Sequence, residues 1–159
     1  MQTIIELNGA VILAAYHGTR AGIPGLYNRA VRVVGRGPYS HVELVFAERD
    51  AVERGESVES WSASWMDGGV RCKRITLNQS HWHFYELPWA DAAQARTWFL
   101  AHEGEPYDLA GNLRFVLPII PDSRSGWFCS EAIAAALGWS EAWRYEPNHL
   151  VTICRDIGS

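Results

Sequence analysis

The sequence contains few cysteines and no long apolar run, and each shortage excludes a class of protein. Its three cysteines, Cys72, Cys129 and Cys154, are odd in number and widely spaced, which argues against a disulfide framework and against a paired C-x-x-C metal site. No segment approaches the roughly 20 apolar residues that span a bilayer. The apolar stretch at 10–15 lacks the preceding basic residues of a secretory signal. We therefore expect a reduced, unprocessed, cytoplasmic protein with no membrane span.

The chain also lacks an excess of basic residues, repeats and low-complexity tracts. A net charge of −4 and an isoelectric point near 5.8 disfavour nucleic acid as a partner, because such partners normally require a basic surface. Of the 159 residues, 48% are apolar and 20% are charged, the balance of an ordinary globular protein. This length suits one domain with its own core, so residues 1–159 are predicted to form a single domain.

Periodicity divides the chain into a helix, consecutive strands and a group of helices. Alternating and β-branched segments predict strands at 10–16, 41–46, 57–64, 69–77 and 81–87. Helical spacing predicts helices at 26–34, 90–102 and 130–137, the last of which ends at Gly138. An apolar segment at 113–120 and a short strand at 151–154 complete the pattern. This order of elements is typical of the α+β class.

Cys129 is the strongest candidate nucleophile because it directly precedes or begins the helix at 130–137. The unpaired backbone N–H groups and the dipole at a helix N-terminus stabilise a thiolate. The same N–H groups can hold the oxyanion that forms when a thiolate attacks a carbonyl. Glu131 suits a helix start, but it opposes a nearby thiolate unless it points away. The alternative is that Cys129 is a small buried hydrophobe, as most free cysteines are.

The other two thiols are weaker candidates. Cys72 lies between Arg71 and Lys73, where neighbouring cations favour a thiolate. No base adjoins it in the sequence, so a solvated strand edge is the simpler interpretation. Cys154 lies in an apolar segment and is predicted to belong to the core.

His41 is the candidate base. It begins the strand at 41–46, whose alternation places His41, Glu43 and Val45 on one face and only apolar residues on the other. The apolar face must pack on the core, so the imidazole and the carboxylate lie where a cleft can form. A cysteine nucleophile needs such an imidazole opposite the thiol, with a third polar group fixing the ring. Alternatively, His41 and Glu43 are simply the exposed face of a half-buried strand.

The remaining histidines give little support to a metal site. His81 and His83 share a strand face and are compatible with two metal ligands. No further ligand with suitable local spacing completes a set. We therefore predict no metal and no cofactor.

Five short motifs occur in a fixed order along the chain. They are Tyr-Ser-His-Val-Glu-Leu-Val at 39–45, Gly-Gly-Val at 68–70, Gly-x-x-Tyr-Asp at 104–108, Phe-Cys-Ser-Glu at 128–131 and Pro-x-x-Leu at 147–150. Together they resemble the permuted NlpC-type papain-like proteins, the YiiX-like group related to the lecithin retinol acyltransferase-like proteins. In that group the strand histidine precedes the cysteine helix, and here His41 precedes Cys129 by 88 residues.

The resemblance covers about residues 10–153 and implies both a fold and an activity. The fold is a circularly permuted, papain-like α+β domain in which an antiparallel sheet packs against the helix that carries the cysteine. The activity is hydrolysis or acyl transfer at an amide, ester or thioester, as in a cysteine peptidase or amidase. The substrate would be a small molecule, a peptide or a lipid acyl group, with Cys129 as the nucleophile and His41 as the base. Members of this group occur in bacteria and phages.

The same resemblance places the residue that orients the imidazole on the strand after the histidine strand. Many relatives have Glu or His there, whereas counting from the Gly-Gly-Val turn gives Ser62 in this chain. A serine orients an imidazole more weakly than a carboxylate does, because a neutral hydrogen bond is weaker than a charge-assisted one. We predict Ser62 as the third catalytic member, with Glu43 and Glu59 as the alternatives.

A function of a different class is binding without catalysis, on a degenerate papain-like scaffold with a cleft rich in tryptophan. The chain has eight Trp, and aromatic side chains line many ligand grooves. The departure from the group's pattern at Ser62 favours this alternative, since a fold does not guarantee its usual chemistry.

Overall fold

The computed structural model describes residues 10–19, 22–109 and 126–158. Over these residues the strands are β1 (Val11–Tyr16), β2 (His41–Phe46), β3 (Val58–Ser64), β4 (Gly69–Ile75) and β5 (Trp82–Glu86). The α-helices are α1 (Ile23–Val34), α2 (Arg49–Glu53), α3 (Ala92–His102), α4 (Cys129–Ala136) and α5 (Pro147–Ile157), with a 3₁₀ turn at Ala142–Arg144. The described residues therefore form a mixed α+β structure, as predicted.

The strands form one antiparallel sheet in the order β4-β3-β2-β1-β5. Tyr16 at the end of β1 pairs with His41 at the start of β2, and Leu44 of β2 pairs with Trp61 of β3. Continuing this antiparallel register places Ser64, the last residue of β3, beside His41 as well. His41 therefore lies at one end of the sheet, between the ends of its two neighbouring strands.

Both faces of the sheet are covered, which explains why all six residues of β1 are buried. On one face Leu13 and Leu44 belong to the larger hydrophobic core. On the other face Ile12 and Val45 belong to a smaller core that α2 completes through Val52. This division confirms the alternation predicted for β2, whose apolar face packs on the larger core.

Helix α4 packs on the larger core against β2 and β3. Its side chains towards the sheet are small, with Ala132 and Ala136 almost fully buried, so the helix can approach the strands closely. Gly138 follows the helix with a φ of 81°, the left-handed conformation that often ends a helix and that glycine adopts without strain. The antiparallel sheet thus packs against the helix that carries Cys129.

The short strand predicted at 151–154 is wrong, because these residues are helical in α5. The β-branched residues in that segment favour a strand locally. However, the carboxylate of Glu146 accepts hydrogen bonds from two backbone N–H groups of the first turn, and Pro147 fits the first helical position. Leu150 and Cys154, four residues apart, are both buried, so the helix turns one face to the core.

The other predicted elements in the described residues are present, with ends shifted by no more than three residues. Helix α2 has no counterpart among the predicted elements. In α3 the buried residues are Ala95 and Phe99, and Leu100 is exposed. The apolar segment at 113–120 lies outside the described residues.

The described helices are all short. The longest, α1, has 12 residues, whereas a helix that spans a bilayer needs about 20. Accordingly, the described part of the chain contains no helix that is long and apolar enough to cross a membrane.

Candidate active site

Cys129 is the first residue of α4 and is 1% exposed. The preceding segment is held in place by its backbone, since the N–H of Trp127 donates to the carbonyl of Pro106 at 3.0 Å. The segment that contains Pro106 is in turn hydrogen-bonded to the start of β4, where the N–H of Val70 donates to the carbonyl of Glu105 at 2.9 Å. Backbone hydrogen bonds therefore link the start of α4 to the sheet.

Glu131 acts on the backbone at the start of α4. Its carboxylate accepts a hydrogen bond from the N–H of Phe128, the residue before Cys129, at 3.4 Å. A carboxylate at this position stabilises the helix N-terminus by pairing with one of its free N–H groups.

His41 is positioned by the segment that leads into β2. The side chain of Asn148, in α5, accepts a hydrogen bond from the N–H of Tyr39 at 2.8 Å and donates one to the carbonyl of Tyr39 at 3.0 Å. The N–H of Ser40 donates to the carbonyl of Tyr16 in β1 at 3.1 Å. The backbone is thus fixed on both sides just before His41.

The side chain of Cys129 lies close enough to the imidazole of His41 to raise its pKa. The Nε2 atom of His41 donates to Oε1 of Glu43 at 2.7 Å, which leaves Nδ1 for the sulfur. Burial alone lowers the pKa of His41, but the charge and hydrogen bond of Cys129, followed by those of Glu43, outweigh it and raise the pKa to about 9. The surroundings therefore favour the imidazolium form of His41.

Glu43 is the residue on the second ring nitrogen, and its carboxylate is 2% exposed. Besides His41, it accepts hydrogen bonds from Ser60 Oγ at 2.6 Å and from Arg71 Nη1 and Nη2 at 2.7 and 2.5 Å. Burial alone raises the pKa of Glu43, but the hydrogen bonds and charges of Arg71 and His41 outweigh it and hold the pKa well below its usual range. Glu43 therefore contacts His41 as an ionised carboxylate.

The structure corrects the preference for Ser62. Its hydroxyl donates to the carbonyl of Val42 at 2.7 Å, and among the described residues His41 is not one of its partners. The antiparallel register places Ser62 opposite Glu43 rather than opposite His41, and a serine side chain is too short to span the difference. Glu43, one of the two alternatives, occupies the position instead.

Glu59, the other alternative, lies on the opposite face of the sheet. Its carboxylate accepts hydrogen bonds from Trp61 Nε1 at 2.8 Å and from Arg96 Nε at 3.1 Å. Successive residues of a strand alternate between faces, so a residue one position from Ser60 points away from the face that carries Glu43.

Sequence reasoning missed Arg71 and Ser60, which hold Glu43 in place. In the sequence, Arg71 draws attention only as a cation beside Cys72. For Glu43 itself the sequence did contain a signal, because the i, i+2 spacing of His41 and Glu43 puts both side chains on one strand face. The partners on β3 and β4 could not be found in this way, because they depend on the register between strands.

A cleft of about 210 Å³ opens beside His41. Two aromatic pairs line the cleft. The ring of Tyr16 contacts that of Trp82, and the ring of Tyr27 lies near that of Trp65. Of the eight Trp in the chain, Trp65 and Trp82 line this cleft. The cleft is aromatic, but most of the tryptophans lie outside it.

Polar groups of the cleft include Tyr27 and Tyr107, whose hydroxyls are 3.0 Å apart. The charge of Cys129 contributes to the raised pKa of Tyr27, although burial is the larger cause. Tyr27 therefore lines the cleft and lies near Cys129, which is not itself among the cleft's described lining residues.

The two other thiols lie in different surroundings. Burial, followed by the charges of Glu59 and Glu103, raises the pKa of Cys72 and outweighs the opposing charges of Arg71 and Arg74. Burial alone raises the pKa of Cys154 to about 12. Both environments disfavour a thiolate.

The histidines considered as metal ligands have other contacts. The ring nitrogen Nδ1 of His83 lies 2.8 Å from the hydroxyl of Tyr39, and the ring of His81 lies near that of Tyr16. Within the ranges that the structure describes, no three His, Cys, Asp or Glu side chains are grouped to hold a metal ion.

No protein-family model matches this chain, and no curated protein matches its sequence.

Proposed function

We propose that this chain is a cysteine-nucleophile hydrolase or acyltransferase that acts on an amide, ester or thioester. The observation that carries the proposal is that His41 is hydrogen-bonded to Glu43 and lies close to Cys129, whose thiol is at a helix start. A cysteine nucleophile needs an adjacent base and a third group that orients the base. Cys129, His41 and Glu43 are the candidates for these three groups.

In the proposed reaction, the Cys129 thiolate attacks the carbonyl carbon and forms a carbon–sulfur bond. The negative charge moves to the carbonyl oxygen, where the backbone N–H of Cys129 at the helix start can stabilise it. When the tetrahedral intermediate collapses, the His41 imidazolium gives its proton to the leaving amine, alcohol or thiol. Water or another acceptor then loses a proton to His41, attacks the acyl-enzyme and releases Cys129.

Glu43 has two tasks in this scheme. By accepting from Nε2, it fixes the ring of His41, and Nδ1 is then the nitrogen that serves the sulfur. Its negative charge also favours the imidazolium, the form that protonates the leaving group. Glu43 keeps its own charge throughout, so it positions and stabilises His41 without exchanging a proton.

The fold that we propose is a circularly permuted papain-like domain. Support comes from the chain order, in which the strand with His41 precedes the helix with Cys129. Further support comes from the antiparallel sheet and from the packing of α4 on β2 and β3.

A second candidate function is ligand binding without catalysis. The observation that favours it is the burial of Cys129, which is 1% exposed and does not belong to the described lining of the cleft. A nucleophile must meet its substrate, whereas a buried structural cysteine need not. The two functions therefore differ in whether Cys129 reacts with an electrophile in the folded protein.

Covalent trapping tests the proposal. The folded protein is treated at pH 7 with iodoacetamide or p-nitrophenyl acetate, and the modified cysteine is identified by peptide mass spectrometry. We expect Cys129 to be modified faster than Cys72 and Cys154. His41→Ala should slow the modification of Cys129 by on the order of 10²-fold, the usual contribution of a general base.

The matched control is Cys72→Ser, which should leave the labelling of Cys129 unchanged. Labelling in denaturant gives the intrinsic reactivity of each thiol. If Cys72 reacts first in the folded protein, or if His41→Ala labels as fast as the wild type, ligand binding becomes the better account.

A further inference from the structure

The charges at the candidate site balance only when Arg71 is included. In the thiolate–imidazolium form that the proposed function requires, Cys129 and Glu43 carry two negative charges and His41 carries one positive charge. The carboxylate of Glu43 is buried, and isolated buried charges are strongly disfavoured. A second cation is therefore needed if both anions are to exist together.

Arg71 supplies this cation through a two-point contact. Its Nη1 and Nη2 atoms donate to the two carboxylate oxygens of Glu43 at 2.7 and 2.5 Å, the bidentate geometry that is strongest for arginine and carboxylate. Ser60 adds one hydrogen bond to Oε2, but it has no charge to contribute. Of the described groups that hydrogen-bond Glu43, Arg71 and His41 are the cations.

The guanidinium of Arg71 is itself held from the other side. Its Nε donates to Asp67 Oδ2 at 2.9 Å, and Asp67 also pairs with Lys73. Asp67 lies in the turn between β3 and β4, so the turn fixes the direction from which Arg71 approaches. The side chain of Arg71 is only 14% exposed, which limits screening of its charge by water.

We propose that Arg71 is a positioning residue that keeps Glu43 ionised and aligned on His41, and thereby maintains the thiolate–imidazolium pair. This inference rests on the proposed function and names a residue that acts through Glu43. Without Arg71, the buried site carries an excess negative charge. A proton then binds at Cys129 or Glu43, and either change weakens the nucleophile.

A double-mutant cycle tests the proposal, with the rate of iodoacetamide labelling of Cys129 at pH 7 as the readout. Arg71→Met should slow labelling by at least ~10-fold, because removing one partner of a buried ion pair leaves the other uncompensated. Arg71→Lys keeps the charge and should retain more of the rate. Arg71→Met/Glu43→Gln should be no slower than Glu43→Gln, because effects that pass through one group are not additive.

Arg96→Met is the matched control. The side chain of Arg96 is 17% exposed, close to the value for Arg71, and it pairs with Glu59 on the opposite face. Its loss should therefore change labelling by less than ~2-fold, as expected for a distant site. Additive losses in the double variant, or an unchanged rate in Arg71→Met, would overturn the role of Arg71. Because Arg71→Met can also destabilise the fold, the Arg71→Lys and double variants provide independent outcomes. A fast His41→Ala variant would instead reject the nucleophile–base pair itself.

Discussion

At the scale of single residues, the site depends on what holds the second nitrogen of His41. Glu43 makes a charge-assisted hydrogen bond to this nitrogen, whereas Ser62 donates to a backbone carbonyl. A charge-assisted bond is about twice as strong as a neutral one and also favours the imidazolium. The two residues should therefore respond differently to substitution.

We expect Glu43→Gln to slow the labelling of Cys129 by ~10-fold or more, because the charge that favours the His41 imidazolium is lost. Ser62→Ala should leave the labelling rate within ~2-fold and lower the free energy of unfolding by about 1 kcal/mol, the usual value of one hydrogen bond. Glu59→Gln, on the other face, is the control and should not change the rate. Labelling kinetics and urea unfolding provide both quantities.

The opposite pattern of labelling rates would contradict the role of Glu43. If Ser62→Ala slows labelling while Glu43→Gln does not, the serine predicted from the motif orients the ring and the hydrogen bonds of Glu43 are only structural.

The site shows how far residues alone can predict such an arrangement. Cys129 and His41 follow from a helix start and a strand start, both of which are local features of the sequence. The third member does not, because motif position gives Ser62 while the reach of each side chain and the strand register favour Glu43. Arg71 could not be predicted, since it meets Glu43 only through the pairing of β2, β3 and β4.

At the scale of elements, local pattern predicts the strands well and one helix poorly. The strands of the sheet follow from alternation and β-branched residues, and β2 has the predicted ends. Part of helix α5 is predicted as a strand, because its β-branched residues favour a strand locally. The local pattern does not show that Glu146 caps a helix there. Burial of Leu150 and Cys154 on one side stabilises the helix, and that burial depends on tertiary packing.

A close backbone contact between Gly126 and Pro106 positions the segment that precedes α4. A Cβ atom at Gly126 would lie 2.3 Å from the carbonyl oxygen of Pro106, well inside van der Waals contact. Gly126→Ala should therefore displace the segment before Cys129, lower the free energy of unfolding by about 2 kcal/mol or more, and slow the labelling of Cys129. Thermal or urea unfolding and labelling kinetics measure these effects.

Gly55→Ala is the control for this substitution. Gly55 has a φ of 72°, and a Cβ atom there would have no neighbour within 4 Å among the residues that the structure describes. Alanine at this position therefore meets backbone strain but no clash, and it should cost about 1 kcal/mol without changing the labelling rate. Equal effects of both substitutions on labelling would show that the contact at Gly126 does not position Cys129.

At the scale of the whole molecule, the sheet brings together residues that are far apart in the chain. His41 is on β2, Arg71 on the edge strand β4, and Cys129 on α4. Most of the tryptophans pack elsewhere, for example Trp61 against Phe99 within the larger core. The high tryptophan count therefore reflects core packing more than a binding groove, which weakens the argument from tryptophan content for binding without catalysis.

The proposed function depends on an ion pair between Cys129 and His41, and the titration of the His41 imidazole reports on this pair. Two-dimensional ¹H–¹⁵N NMR of the imidazole follows its protonation with pH in the wild type and in Cys129→Ser. We expect a midpoint near 9 in the wild type, with His41 protonated at neutral pH, and a lower midpoint when the sulfur is removed. A wild-type midpoint near the ordinary 6.5, or one that Cys129→Ser leaves unchanged, would contradict the ion pair.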